Sequence, residues 1–324
     1  MNKKIILMAG ILLLLVFTGC DKINKTGKKG QTPISEVDVR KGVEGLKMEF
    51  LPNAPPNNVF AESGFPISLK LKNDGASDIK EEDGGAIFVF GFEKAYMDIP
   101  VPNQRSVLSI KGKSIYAPLG EEEFININAR AGAIGPQSEK HPSSIFATAC
   151  YPYETVLGTS VCIDTDITGQ RRGQNVCVVK DIVFTGGQGA PVSVTKVETR
   201  MLPQDDGKVK PHFLIYVKNA GNGEVIDPGK VEAACTSGTL SYGDFNTLRV
   251  KASLSGVPLK CSEDEGPVIV RLRDKEDLIR CTYERDGGIN SGADAYVAPL
   301  KVELEYGYTF TISKNIIIEK VLTH

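Results

Sequence analysis

Phe65, Ile67, Leu69 and Leu71 alternate with Pro66, Ser68, Lys70 and Lys72. A period of two sends the first set to one face of a strand and the second set to the other, so one face should be buried and the other wet. Phe213, Ile215 and Val217 repeat the pattern against Leu214, Tyr216 and Lys218, and Phe124–Asn128 repeats it over a shorter run. Ala86–Phe92 is apolar on both faces. It predicts a strand covered on both sides, the alternative being an exposed edge that takes a strand from a neighbour. Further strands are expected over Leu46–Leu51, Val107–Ile110, Ile145–Thr155, Val161–Ile163, Asn175–Phe184 and Val192–Val197. Gly158-Thr159 reads as a turn, and His141-Pro142 reads as loop. No segment beyond Phe17 carries a long 3.6-residue apolar period, so the expected class is all-β.

The chain has 324 residues, a length that suggests two domains. Thr185–Pro191, rich in glycine, separates two strand-rich blocks and reads as a linker. The expected units are residues 39–184 and 192–324, joined by residues 185–191. Two echoes link them. Leu69-Lys-Leu-Lys-Asn-Asp-Gly75 matches Ile215-Tyr-Val-Lys-Asn-Ala-Gly221, and Tyr151-Pro-Tyr153 stands against Tyr306-Gly-Tyr308. Two echoes in the same order point to a duplicated module. An apolar strand ending in Lys-Asn-x-Gly resembles an early strand of Ig-like surface modules, such as the cell-adhesion-related domain of bacteria and archaea. The resemblance covers the early third of each unit. It implies two Ig-like β-sandwich domains in tandem, serving as spacer, binding or assembly modules.

The N-terminus carries a different signal. Lys3 and Lys4 precede the uncharged, apolar run Ile5–Phe17, which is short for a bilayer core of about 30 Å. Thr18-Gly19-Cys20 follows. This resembles the lipobox of prokaryotic lipoproteins, although Phe17 stands where Leu is usual. The resemblance implies cleavage after Gly19 and lipid attachment at Cys20, with residues 1–20 as the signal peptide. Two lipid chains are what stable anchoring requires. Residues 21–38, rich in Lys, Gly, Thr and Ser, read as a flexible tether. Asn24-Lys25-Thr26 is a glycosylation sequon on it.

With Cys20 set aside, the remaining cysteines are even in number, which in an exported protein suggests disulfides. Cys162 and Cys177 bracket a polar turn and are candidates to close a hairpin. Cys261 and Cys281 are candidates for a second such bond. Cys150 and Cys235 are then either bonded between the units or free. Asp164-x-Asp166-x-x-Gly169 has a calcium-loop spacing, but Asn175 stands where the bidentate Glu belongs, so a polar turn is the better reading. The acidic runs Glu121–Glu123 and Glu263–Glu265 read as solvated loops.

The net charge of −2 gives no electrostatic case for nucleic acid. None of His141, His212 and His324 shows metal-site spacing to a cysteine. No Ser/His/carboxylate set, nucleophile elbow or phosphate-cradling loop stands out. Arg171 and Arg172 lie on the turn between Cys162 and Cys177, where an acidic partner or solvent would meet them. The expectation is therefore a non-enzymatic lipoprotein without cofactor or metal, anchored on the extracytoplasmic face of the cell membrane. Its role would be binding or scaffolding, with a protein or surface-polymer partner. The alternatives are the solute- or polymer-binding part of an envelope transporter or enzyme, which a cleft lined by Tyr151, Tyr153, Tyr306 and Tyr308 would support, and a subunit of a surface filament.

Overall fold

The structure, a computed structural model, describes residues 39–169, 176–236, 238–261 and 268–321. The expected signal peptide with Cys20, the tether with Asn24, and also Arg171, Arg172, Asn175, Glu263–Glu265 and His324 lie outside the described residues.

The protein is all-β, and its described residues form three sheets, antiparallel except where β2 joins the third in parallel. In the first, the order is β1 (Leu46–Phe50), β3 (Gly64–Asn73), β7 (Glu122–Ala131), β5 (Met97–Asp98). In the second it is β16 (Glu276–Thr282), β11 (Lys208–Asn219), β10 (Val192–Pro203), β9 (Ile182–Val183), with β17 (Ile289–Asn290) also on β11. The third runs β14 (Val257–Pro258), β13 (Thr247–Leu254), β18 (Tyr296–Glu319), β8 (Lys140–Ile163), β4 (Ala86–Gly91), β6 (Arg105–Leu108). Onto it pair β12 (Glu224–Ile226) and β2 (Asn58–Phe60), both against β18, and β15 (Val268–Arg271) against β13. A short helix, α1 (Val231–Cys235), lies beside β8.

The alternating runs fold as their pattern dictates. Phe65, Ile67, Leu69 and Leu71 of β3 are buried, as are Phe213, Ile215 and Val217 of β11. Ser68 departs from the pattern and is buried too, because its backbone N–H and C=O bind Ala54 and Leu51 of the preceding loop. β4 is paired on both edges, by β6 and β8, and Ile87, Phe88 and Phe90 are buried. It is therefore an interior strand and not an exposed edge.

The third sheet holds the largest departure from the sequence reading. β8 and β18 are each 24 residues long and pair along their whole length, from Lys140 opposite Glu319 to Ile163 opposite Tyr296. Gly158-Thr159 does not turn; it continues β8 opposite Lys301 and Leu300. Thr155, Val156 and Val161 around it favour extended backbone, and a partner of equal length holds the glycine in register. His141-Pro142 likewise lies in β8, against Ile318 and Ile317.

The first sheet comes wholly from residues 39–184. The second comes from residues 192–324 apart from β9. Both halves meet in the third sheet. The buried residues of all three sheets form one continuous apolar cluster, and the described residues pack as one compact unit. Residues 185–191 are tied into it. Gly189 N–H donates to Gly42 O at 2.8 Å, and the buried Gln188 side chain exchanges hydrogen bonds with the backbone of Val194. A smaller cluster of Ile87, Cys150, Ile226, Val231 and Cys235 gathers under α1.

Candidate functional site

The two Tyr-x-Tyr runs meet at one point of the long ladder. Tyr153 is opposite Tyr306, Pro152 opposite Gly307, and Tyr151 opposite Tyr308. All four rings are buried, with centroids 5.5 to 6.4 Å apart in tilted or edge-on contacts. A buried tyrosine needs a partner for its hydroxyl. Here each finds the backbone or a buried asparagine. The Leu46 N–H donates to the Tyr151 hydroxyl at 3.3 Å, and the Val192 N–H to the Tyr306 hydroxyl at 3.3 Å. The Tyr153 hydroxyl donates to Asn73 Oδ1 at 2.9 Å, and the Tyr308 hydroxyl to Asn219 Oδ1 at 3.4 Å. Burial, above all, raises the phenol pKa values, to about 12 for Tyr308. These rings are core, and their edges reach the walls of two surface depressions: Tyr151 and Tyr308 border one, Tyr153 and Tyr306 the other.

The Lys-Asn-x-Gly echo has its explanation here. Asn73 Oδ1 accepts from Gly75 N–H at 3.2 Å, and Asn219 Oδ1 from Gly221 N–H at 3.1 Å. Their Nδ2 groups donate to Ser77 O at 2.8 Å and Gly223 O at 2.9 Å. A Cβ at Gly75 would collide with the Tyr153 hydroxyl, and one at Gly221 with the Tyr308 hydroxyl. The glycines are needed for space, since the tyrosines press on the turn. The echoes were visible in sequence; that the asparagine of one is the partner of the tyrosine of the other was not.

Beside this knot runs an open cleft of about 620 Å³ between β1 and β18, lined among others by Lys47, Lys70, Lys72, Glu224, Phe310 and Ile312. Its floor borders a gap in the strand pairing. On the edge of β18 away from β8, β13 takes Leu300–Glu305, β12 takes Gly307–Thr309 and β2 takes Ile317–Glu319. Among the described residues no strand pairs with Phe310–Ile316 on that edge. The outer edge of β1 has no strand partner among them either. Backbone donors and acceptors on such an edge are a template for a further strand.

The charges around the cleft are compensated. Asp74 lies 2.8 Å from Lys47, 2.8 Å from Lys113 and 3.5 Å from Lys72, and Lys70 lies 3.1 Å from Glu122. Burial pushes the Asp74 carboxyl up, but the hydrogen bonds from Lys113 and Lys47 together outweigh it and hold the group well below the usual carboxylate range. A second depression, of about 660 Å³, is lined by Arg40, Asp78, Lys113, Tyr116, Glu154 and Glu305 among others. Glu154 faces Glu305 across the ladder. Partial burial, then the Glu303 and Glu305 charges, raise its pKa.

The other sequence candidates fall into place around these features. Cys162 and Cys177 are bonded, with sulfurs 1.97 Å apart, as are Cys261 and Cys281 at 1.96 Å. Cys150 and Cys235, left open by the sequence, form a third bond that ties α1 to β8. Asp164 Oδ1 accepts from Asp166 N–H at 2.9 Å, and the Thr165 hydroxyl donates to Ser291 O and Ala293 O. Glu121 accepts from the Lys111 N–H and Glu122 pairs with lysines, so that acidic run is divided between two tasks. His141 Nε2 is 3.0 Å from Glu93 and stacks on Tyr96, while Ser143 donates to the same carboxylate. His212 Nδ1 is 2.8 Å from the Thr282 hydroxyl. Among the described residues no group of His, Cys, Asp and Glu has the geometry of a metal site, and no helix is long and apolar enough to cross a membrane.

A comparison with known protein families and with curated proteins found no match for this chain.

Proposed function

We propose that the protein is a lipid-anchored, extracytoplasmic binding or scaffolding module without catalytic activity. Its two halves are Ig-like β-sandwich units that share the third sheet, and an extended segment of a protein partner docks on the open edge of β18. The gap at Phe310–Ile316 carries this reading, because it offers main-chain hydrogen bonds beside the half-buried Phe310 and Ile312. Strand addition draws its affinity from the main chain and its specificity from alternate side chains. The compensated charges of the cleft suit a neutral segment better than a polyanion. The Ig-like reading is supported by largely antiparallel sheets packed on a core of alternating inward-facing residues. The anchoring part rests on the lipobox alone.

The docking part is tested with displayed random seven-residue peptides selected on the full chain. Bound peptides should slow amide hydrogen exchange across Phe310–Ile316. Binders that protect only other segments would reject the edge as the site. The anchor is tested by Cys20→Ser, which should release the protein from membranes; unchanged fractionation would sink it.

A further inference from the structure

The loop from Lys111 to Glu121 ends in an apolar prong. Ser114 N–H donates to Ala117 O at 3.0 Å and Ala117 N–H to Ser114 O at 3.1 Å, which leaves Ile115 and Tyr116 at the apex. The base is fixed by Lys113 N–H to Gly75 O at 2.7 Å, Glu121 N–H to Lys111 O at 3.1 Å and Gly112 N–H to Asp78 Oδ1 at 2.8 Å. The mount is therefore tied down, yet what it carries is bare. Tyr116 is 92% exposed, Leu119 74% and Ile115 46%. Scattered apolar side chains on a surface are ordinary; three on one braced loop mark a contact surface.

Its place says what it contacts. Val39 and Arg40, the first described residues, line the same depression as Ile115 and Tyr116. The stretch from Val39 back to Cys20 reaches at most about 3.5 Å per residue, roughly 65 Å in all, so a bilayer holding Cys20 is within reach of the prong. Arg40, Lys80 and Lys113 on that depression are outnumbered by Asp78, Asp83, Glu154 and Glu305. The local charge then gives no strong pull toward an anionic surface, and the apolar side chains supply the contact. Tyrosine suits the headgroup level of a bilayer, with its ring in the apolar layer and its hydroxyl in water.

We propose that Ile115, Tyr116 and Leu119 insert into the surface of the bilayer that holds the chain. The loop then lies against the lipid, and the described unit takes a set orientation on it. This inference rests on the lipid-anchor reading above. The occupant is the acyl–headgroup boundary of a zwitterionic bilayer.

The sequence contains no tryptophan, so a single substitution creates a unique fluorophore. Tyr116→Trp is made in the full lipidated chain and reconstituted into phosphatidylcholine vesicles with brominated acyl chains. Tyr242→Trp, at another exposed tyrosine on the second half, is the reference. We expect the Tyr116→Trp emission to be quenched at least twofold more than the reference, with a blue shift. If the chain floats with the vesicles and both variants are quenched equally, the prong proposal falls and the anchor survives. If the chain does not float, both fall.

Discussion

Asn73 and Asn219 hold the same position in the two halves, but their surroundings differ. Asn73 also donates to Ile110 O at 3.1 Å, a bond with no counterpart at Asn219 among the described residues. One residue further on, Asp74 gathers Lys47, Lys72 and Lys113, where the second half has Ala220. Across the ladder, Thr155 lies 3.0 Å from the Tyr306 hydroxyl and donates to Val192 O at 2.6 Å, while at the matching place beside Tyr151 stands Phe310. β10 carries β9 on its outer edge, and the outer edge of β1 is bare among the described residues. The knot itself is shared because buried polar groups must be satisfied in full or lost. The covering has diverged, closing the polar side of the second half and leaving the cleft beside the first.

That contrast can be broken at the knot first. Asn73→Ala should cost about 4 kcal/mol in urea unfolding and Asn219→Ala about 3 kcal/mol, since each strands buried partners and the first strands more. Equal costs would remove the asymmetry. Replacing Cys150 and Cys235 together by Ser should cost about 3 kcal/mol, because the bond closes a long loop. A cost well below that of losing Cys162–Cys177 would show that α1 adds little to the fold.

Asp74→Asn should cost about 1 kcal/mol after allowance for solvent screening. The sign follows from its depressed carboxyl pKa. The stabilisation is present above the unfolded carboxylate range, near pH 4, and is lost as pH falls through the lower folded value. The mutant should therefore show a shallower loss of stability in acid. Glu154 has the opposite sign. Its folded pKa is raised, so its charge opposes folding above that value and the penalty lifts as pH falls. Glu154→Gln should raise stability at pH 7 by about 0.3 kcal/mol. A loss instead would mean that the Glu154 charge does not oppose folding.

Much of this was legible in sequence. The buried faces of β3 and β11 follow from alternation, and the likeness of the halves from Lys-Asn-x-Gly and Tyr-x-Tyr. The run of β8 through Gly158 was not, because a glycine between strand formers reads as a turn until a partner strand far along the chain holds it straight. The sharing of one sheet was hidden for the same reason, as periodicity reports which face is buried and never against what. The cleft escaped notice because it is defined by a missing neighbour on Phe310–Ile316. Nothing in the short run Ile115-Tyr116 says that its tip is bare.

β18 is the last described strand along the chain, and β8, β12, β13 and β2 all pair with it. Contacts of such sequence separation form slowly. During synthesis β8 must wait for its partner, with Tyr151 and Tyr153 uncovered on one side. A chain shortened before Tyr296 would lack the middle of the third sheet, so both halves would fail together. The core is thus closed by β18: until that strand is made, the third sheet has no middle.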